Sequence, residues 1–364
     1  MLIASTFLTQ AADYLMYIGT YTGPNSKGIW VCRFQPATGE ITNLGLAAEV
    51  QNPTFLAVHP SGDYLYSADE NRAGMVSAFR IDRKTGKLTP LNQVSSQGSG
   101  PCALSVDRTG KSVLVANYNS GSVALIPIRA DGSLAEASTV DQHKGKGINP
   151  QRQEGPYAHS AVFAPGNRFA VSCDLGLDKV FVYRFDARKG TLTPNQPAFA
   201  MVPPGSGPRH VAFHPNGKLV YVVNELNSTV TAFAWNGGAG TLNELGTVSA
   251  LAKDFKGKSD GAEIHVYSNG KFVYSSNRGQ ANNIALFRVD AAKGTLEFVS
   301  NTPTGGKEPR YFGFDPTGAW LLAANQGSND IVLFRVDPNT GALTPSGKKI
   351  ELSAPVCVQF VAAR

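Results

Sequence analysis

Apolar runs of five or six residues alternate with short polar turns along the whole chain. The segment from Gly207 to Glu225 is a clear example, because two apolar runs flank a Pro-Asn-Gly turn. This pattern predicts an antiparallel β-hairpin. No stretch shows helical spacing of apolar residues over a useful length. The chain is therefore predicted to be all-β.

The features of this hairpin recur about every fifty residues, a spacing typical of propeller blades. An inner strand opens seven times, at Asn52-Pro53, Gly100-Pro101, Gly155-Pro156, Gly207-Pro208, Ala262-Glu263, Glu308-Pro309 and Ala354-Pro355. A second strand ends in Asp or Asn at Asp69, Asn117, Asp174, Asn224, Asn277 and Asn325. A hairpin centres on Gly39, Gly86, Gly132, Gly190, Gly240, Gly294 and Gly341. Four strands per repeat and seven repeats predict a seven-bladed β-propeller.

The two ends of the chain are predicted to close the ring. The first strand, at Tyr14–Ile18, is of the second type and lacks an inner strand, while the last, at Val356–Phe360, is an inner strand without followers. Pairing them completes one blade and removes an exposed sheet edge. We expect residues 13–364 to form one domain. Residues 1–12 are interpreted as a stub outside it, either a frayed terminus or the remnant of a signal peptide without its basic region.

Composition narrows the class of protein. Of the 364 residues, 42 % are hydrophobic and 16 % charged, which is typical of a compact soluble domain and not of a disordered chain. The net charge of +6 comes without basic runs, which argues against nucleic acid and favours a small anionic ligand. No stretch is apolar enough to predict a membrane span. The four cysteines lack metal-ligand spacing and lie in apolar strands, so buried free thiols are expected, with no metal or other cofactor.

Comparison of equivalent positions in the repeats distinguishes residues that build the fold from candidate functional residues. The start of each inner strand gives a ring of Thr54, Cys102, His159, Arg209, Ala262, Arg310 and Val356. The residue after each terminal Asp or Asn gives a second ring of Glu70, Tyr118, Leu175, Glu225, Arg278 and Gln326. Both rings lie on the face that carries the long loops near 141–155 and 250–261. We therefore expect a site at that end of the channel.

Most positions in these rings are small, apolar or uncharged. The charged and titratable residues that occupy the others predict an acid–base site for an anionic substrate. The predicted catalytic residues are Glu225, His159 and Arg209. The predicted substrate-binding residues are Arg278, Arg310, His210, Arg152, Glu154, Asn224, Glu263 and His265. The alternative interpretation is an ion-pair network that lines a structural channel. The Asp and Asn ring is expected to cap strand ends, and His143, in a Gly/Lys-rich loop, is expected to be exposed.

Several stretches together resemble the propeller lactonases, the family of bacterial 6-phosphogluconolactonase and fungal 3-carboxy-cis,cis-muconate lactonising enzyme. They include Tyr17–Thr22, Asn149–Pro156 leading to His159, Gly207–His210, Val223–Leu226, Ala262–His265, Ser276–Gly279 and Gly305–Arg310. The resemblance covers nearly the whole chain from Asp13. It implies an active site at His159, Arg209, Glu225 and Arg278, and no metal. Tyr157 departs from the family pattern, in which His is usual.

The resemblance implies a cytoplasmic lactone hydrolase acting on 6-phospho-D-glucono-1,5-lactone in the pentose phosphate pathway. Two alternatives use the same fold: a cycloisomerase or a lactonase for another sugar lactone, and a binding propeller without chemistry. Export is the alternative location if residues 1–12 derive from a signal peptide. The expected partner is a small anionic lactone, with no nucleic acid and no membrane, and the expected assembly is a monomer or weak homodimer.

Overall fold

The computed structural model describes residues 13–364, which form twenty-eight β-strands in seven sheets of four antiparallel strands. The interpretation of residues 1–12 as a stub lies outside the described residues. Within residues 13–364 no helix is found that has the length and hydropathy to cross a membrane. The predicted seven-bladed propeller is confirmed.

The first three blades contain the following strands. Blade 1 contains β1 (Tyr14–Thr20), β2 (Gly28–Gln35), β3 (Glu40–Glu49) and, innermost, β28 (Pro355–Ala362). Blade 2 contains β4 (Pro53–Val58), β5 (Tyr64–Asp69), β6 (Met75–Ile81) and β7 (Leu88–Ser95). Blade 3 contains β8 (Pro101–Val106), β9 (Ser112–Asn117), β10 (Ser122–Pro127) and β11 (Thr139–Gln142).

The remaining blades follow the same order from the channel outward. Blade 4 contains β12 (Ala158–Phe163), β13 (Phe169–Asp174), β14 (Lys179–Asp186) and β15 (Thr191–Met201). Blade 5 contains β16 (Pro208–Phe213), β17 (Leu219–Asn224), β18 (Thr229–Asn236) and β19 (Thr241–Ser249). Blade 6 contains β20 (Gly261–Val266), β21 (Phe272–Asn277), β22 (Asn283–Val289) and β23 (Leu296–Pro303). Blade 7 contains β24 (Pro309–Phe314), β25 (Trp320–Asn325), β26 (Asp330–Val336) and β27 (Leu343–Glu351).

Blade 1 joins the two ends of the chain. Strand β1 pairs with β28, with Met16 opposite Phe360 and Ile18 opposite Val358. Every other sheet is built from four consecutive strands. The ring is therefore closed by main-chain hydrogen bonds, as predicted, and β1 has an inner neighbour like every other second strand.

The hydrophobic core lies between neighbouring blades. Every residue of the second strands β9, β13, β17, β21 and β25 is buried, because both faces of these strands pack against adjacent blades. Outer strands such as β27 alternate between exposed and half-buried residues. All four cysteines are buried and free, which confirms the expectation from their apolar surroundings.

Aromatic side chains tie several blades to the next on the face opposite the long loops. The Trp320 indole in blade 7 donates a hydrogen bond to the carbonyl of Pro36 in blade 1 (2.8 Å). Gly39 must be glycine here, since its φ is +72° and a Cβ would lie 2.3 Å from the Trp320 ring. Tyr66 and Tyr274 bond in the same way to the hairpins of the following blades, at Gly132 and Gly341. These contacts make the ring a rigid frame for the opposite face.

Candidate active site

A β-bulge opens most of the inner strands and turns one side chain toward the channel. In blade 5, Pro208 pairs with Asn224 and His210 pairs with Val223, so Arg209 is the extra, unpaired residue. His159 and Arg310 occupy the same position in blades 4 and 7. A bulge frees a residue from the strand alternation and redirects its side chain. The first ring of the sequence analysis therefore consists of bulge residues.

Glu225 lies at the centre of the charged residues. It directly follows β17, and its N–H donates to the Gly207 carbonyl (2.7 Å), which fixes it at the end of the hairpin. Its carboxylate is 3.0 Å from Arg209 Nε, 3.0 Å from Arg278 Nη2 and 2.6 Å from Arg152 Nη2. Only 7 % of the side chain is exposed. A buried carboxylate thus receives three charge-assisted contacts.

This environment keeps Glu225 ionised. Burial opposes its ionisation, but the positive charges of Arg278, Arg209 and Arg152 outweigh burial and lower its pKa from 4.5 to about 2. Such a carboxylate is available as a proton acceptor at every physiological pH. It is also a weak base while the three arginines remain in place.

A polar cavity of about 290 Å³ opens at this end of the channel, and we call it the upper cavity. Its charged lining is balanced, with the acidic side chains Glu70, Glu225 and Asp260 and the basic side chains Arg152, Arg278 and Arg310. Tyr21, Cys102, Tyr118 and His159 complete the wall. The structure therefore brings five of the predicted site residues together around one cavity: Glu225, His159, Arg152, Arg278 and Arg310.

His159 is a neutral imidazole at the edge of this cavity. Its Nε2 is 3.8 Å from the Glu225 carboxylate, and its Nδ1 is 3.7 Å from Cys102 Sγ. Burial and the nearby positive charge of Arg209 hold the His159 pKa well below its usual value. A neutral imidazole still carries one N–H, which can donate a hydrogen bond to a developing negative charge.

Arg209 does not line the upper cavity itself. It is 2 % exposed and borders a narrow neck beneath the cavity, and its Nη1 donates to the Ala262 carbonyl (2.7 Å). Burial and the charges of Arg310 and Arg278 lower its pKa to about 10. Its bond to Glu225 makes it a positioning residue for that carboxylate.

The opposite wall of the upper cavity was not predicted. Both carboxylate oxygens of Glu70 accept from the Tyr21 hydroxyl (2.8 Å), and Oε2 also accepts from Thr54 (2.7 Å). The Arg310 guanidinium stacks over the Tyr21 ring at 5.5 Å. The available signal was position, because Glu70 occupies the place in blade 2 that Glu225 occupies in blade 5.

His143 is buried, so the prediction that it is exposed is wrong. Its Nδ1 is 2.6 Å from Asp174 and its Nε2 is 2.6 Å from the Tyr183 hydroxyl, and the ring stacks on Phe181. Both polar partners belong to the next blade, which the local sequence does not show. These contacts anchor the start of the loop 143–157 that carries Arg152.

Four of the predicted binding residues lie away from the upper cavity. His210, Glu263 and His265 line a second cavity of about 310 Å³ further down the channel, which we call the lower cavity. There, His210 Nδ1 contacts Glu263 at 2.9 Å. Asn224 is fully buried inside blade 5, where its amide donates to Thr229 and Thr231 (both 2.9 Å). This supports the capping role expected of the Asp and Asn ring.

The fifth outlying residue, Glu154, is exposed at the rim. Its carboxylate accepts a hydrogen bond from the Tyr157 hydroxyl, and Tyr157 stacks on Tyr118 with ring centres 4.8 Å apart. Glu154 therefore holds Tyr157, which packs against the wall residue Tyr118, and does not itself line the cavity. Among residues 13–364, no three His, Cys, Asp or Glu side chains converge in an arrangement that could hold a metal ion.

The fold and the upper cavity define a β-propeller enzyme with acid–base groups at one end of its channel. The chain matches the family model "Lactonase, 7-bladed beta-propeller" over residues 15–360. It therefore belongs to the seven-bladed propeller lactonase family, and the predicted lactone hydrolase class is confirmed.

Individual relatives cover almost the whole chain. It is 41 % identical to a Bacillus subtilis protein named 6-phosphogluconolactonase, over 96 % of this chain and 98 % of the relative. A Formosa agariphila protein of the same name is 35 % identical, over 95 % and 99 % of the two chains. The solved structure of a Pseudomonas aeruginosa periplasmic gluconolactonase is 36 % identical, with a TM-score of 0.92 over 97 % and 100 % of the chains.

Proposed function

We propose that this protein hydrolyses 6-phospho-D-glucono-1,5-lactone to 6-phospho-D-gluconate. The observation that carries the proposal is the pairing of an ionised, buried Glu225 with a neutral His159 and several arginines around one cavity. Ester hydrolysis needs a proton acceptor for water and hydrogen-bond donors for the oxyanion, and these groups supply both. The names of the relatives from B. subtilis and F. agariphila support the choice of substrate.

In this mechanism Glu225 removes a proton from a water molecule that attacks C1 of the lactone. The new carbon–oxygen bond gives a tetrahedral oxyanion, which accepts hydrogen bonds from His159 and from Arg152. Collapse of this intermediate breaks the bond between C1 and the ring oxygen. The proton held by Glu225 passes to the ring oxygen, which becomes a hydroxyl group of the product. This transfer returns Glu225 to its ionised form.

Arg310 and Arg278 hold the phosphate. The Arg310 guanidinium has Glu70 at 3.8 Å, beyond hydrogen-bond distance, and forms no hydrogen bond to any residue between 13 and 364. The Nε of Arg278 is likewise buried without a partner in this part of the chain. Unused guanidinium donors are suited to a phosphate, because charge-assisted hydrogen bonds are stronger than neutral ones.

The rate of 6-phosphogluconolactone hydrolysis tests this function. Purified protein is added to freshly prepared lactone, and the product is detected through coupled 6-phosphogluconate dehydrogenase. We expect clear acceleration over the spontaneous reaction in a blank without protein. A rate equal to the blank at all protein concentrations would refute the proposal.

Hydrolysis of unphosphorylated glucono-1,5-lactone is a second candidate function. The balanced charge of the upper cavity favours it, and so does the similarity to the P. aeruginosa protein named periplasmic gluconolactonase. The value of kcat/KM for 6-phosphogluconolactone divided by that for glucono-1,5-lactone distinguishes the two candidate functions. A ratio above one favours the phosphorylated substrate, and a ratio below one favours the unphosphorylated lactone.

Location and assembly are part of the proposal. A phosphorylated substrate fits the cytoplasm, while preference for the unphosphorylated lactone would fit export, and fractionation of cells separates the two. The assembly is proposed to be a monomer or weak homodimer. Phe199 and Met201, exposed two residues apart on the outer strand β15, offer a small apolar contact for a second copy. Sedimentation at several concentrations measures this.

A further inference from the structure

In the free protein, Glu225 occupies the cations that an anionic substrate would use. Three guanidinium groups contact its carboxylate, at 2.6 Å for Arg152 and at 3.0 Å for Arg209 and Arg278. These contacts also restrain Glu225, because a carboxylate surrounded by cations is a poor proton acceptor. The arrangement that keeps the carboxylate ionised therefore also limits its use as a base.

The three arginines differ in how firmly they are held. Arg209 is 2 % exposed and has a second bond, to the Ala262 carbonyl at 2.7 Å. The Arg152 side chain is 39 % exposed, on the loop 143–157. Arg278 has only a long contact to the Gly261 carbonyl (3.4 Å) besides Glu225, and its buried Nε has no partner within residues 13–364. Arg152 and Arg278 are therefore held less firmly than Arg209.

Arg310 is available to an anion in the upper cavity. It lines the same cavity, and its nearest carboxylate oxygen is 3.8 Å away, on Glu70. Arg278 lines the same cavity, and its Nε has no acceptor within residues 13–364. The anion and Glu225 would then compete for the same guanidinium.

We propose that the substrate's own phosphate activates Glu225, by binding Arg310 and drawing Arg278 away from the carboxylate, while Arg152 turns to the reacting carbonyl. The inference rests on the proposed function and assigns the phosphate a catalytic effect beyond binding. Glu225 stays buried and keeps Arg209 when the other two arginines turn away. Burial then makes the carboxylate a stronger base at the moment when water must be deprotonated. Binding energy from a non-reacting group is thereby used in the chemical step.

Other charged or titratable groups near Glu225 do not replace this effect. They are His159 from β12, Asp260 from the loop before β20, Tyr118 after β9, Cys102 from β8 and Arg310 from β24. His159 is neutral because burial lowers its pKa, and burial raises the pKa of Tyr118 and of Cys102, so these three carry no charge near neutral pH. The restraint on Glu225 is therefore set mainly by the arginines.

Activation by a separate dianion tests the proposal. The substrate is glucono-1,5-lactone, which lacks the phosphate, and the probe is inorganic phosphite at increasing concentration and constant ionic strength. A blank without protein at each phosphite concentration corrects for the spontaneous reaction. We expect kcat/KM for this lactone to rise several-fold and to saturate. We also expect Arg310→Gln to abolish the rise, and Arg310→Lys to restore part of it.

The matched control is Arg288→Gln, which changes an exposed arginine on the outer part of blade 6 and should leave the activation intact. Phosphite that inhibits or has no effect would overturn the inference, and so would equal activation in Arg310→Gln. Equal kcat for the two lactones without phosphite would also overturn it. Failure of the proposed function has a different signature, because 6-phosphogluconolactone itself would then not be hydrolysed faster than the blank.

Discussion

The channel of this propeller contains two cavities of nearly equal size and opposite character. The upper cavity, about 290 Å³, is lined by three acidic and three basic side chains. The lower cavity, about 310 Å³, is lined mainly by apolar side chains such as Phe55, Leu104 and Phe213, with His210 and Glu263 as a closed pair. The lower cavity is lined from all seven inner strands, whereas only Cys102, His159 and Arg310 of the upper cavity lie on inner strands.

The difference comes from which part of each blade supplies the lining. The upper cavity takes its residues from bulges, strand ends and loops, where side chains escape the packing between blades. The lower cavity takes them from strand interiors, which must fill a narrow space. A charged side chain is accommodated there only in the buried pair of His210 and Glu263. Burial lowers the pKa of His210. The nearby His210 lowers the pKa of Glu263, against the effect of burial. Chemistry is therefore expected in the upper cavity alone.

Of the changes in the two cavities, loss of the Glu225 carboxylate should have the largest effect on activity. Glu225→Gln keeps the shape of the side chain but cannot accept a proton, so kcat for 6-phosphogluconolactone should fall by about 10²- to 10⁴-fold. Steady-state kinetics with the coupled assay measures it, with thermal unfolding to verify the fold. Retention of wild-type kcat would remove Glu225 from the mechanism.

The upper cavity should also make the protein sensitive to acid. The folded-state pKa of Glu225 is lowered from 4.5 to about 2, so its contribution is fully present above pH 4.5 and is lost as pH falls toward 2. The lowered pKa of Glu225 contributes at most about 3 kcal/mol to the free energy of unfolding at neutral pH. Urea unfolding at several pH values should show this loss in the wild type and in the exposed control Glu136→Gln. Glu225→Gln should lack it, and an unchanged pH dependence in that variant would contradict the assignment.

Removal of the Arg310 guanidinium should affect one substrate selectively. Arg310→Gln removes charge-assisted hydrogen bonds to the phosphate worth about 1.5–3 kcal/mol, which corresponds to roughly a 10- to 100-fold loss of kcat/KM for 6-phosphogluconolactone. The same variant should change kcat/KM for glucono-1,5-lactone little. An equal loss with both lactones would show that Arg310 acts on the fold or the reacting centre instead of the phosphate.

The smallest effect on activity is expected in the lower cavity. Glu263→Gln weakens the bond to His210 Nδ1, so the free energy of unfolding should drop by about 1–2 kcal/mol while kcat is unchanged. Urea unfolding and the coupled assay measure the two quantities on one preparation. A large fall in kcat at wild-type stability would mean that the lower cavity takes part in the reaction.

The repeat made most of the fold predictable. Every blade except the first carries an Asp or Asn at the end of its second strand, and every blade carries a glycine in its hairpin. These residues mark the blades and can be identified from the local sequence. Glu225, His159 and Arg310 were found because they break the ring pattern at equivalent positions. Glu70 breaks the same pattern in blade 2, but it was not recognised as part of the site.

The remaining errors concern contacts between blades. His143 lies in a Gly/Lys-rich loop that is typical of exposed segments, yet Asp174 and Tyr183 of the next blade bury it. Arg209 and His210 both border the neck, but after the bulge at Pro208 only His210 reaches the lower cavity, whereas Arg209 contacts Glu225. A one-residue change in register reverses the side to which a strand residue points, and the sequence does not record bulges.

The sequence by itself determined the number of blades, their four-strand composition, the closure through β1 and β28, and the end of the channel where the charges gather. These follow from local periodicity and turn chemistry, which act over a few residues. Only the tertiary structure decided that Glu225 holds three arginines, that Arg209 lies beneath the cavity, and that Arg310 keeps free donors. These facts depend on distances between side chains from different blades, and such distances are set by the packing of the closed ring.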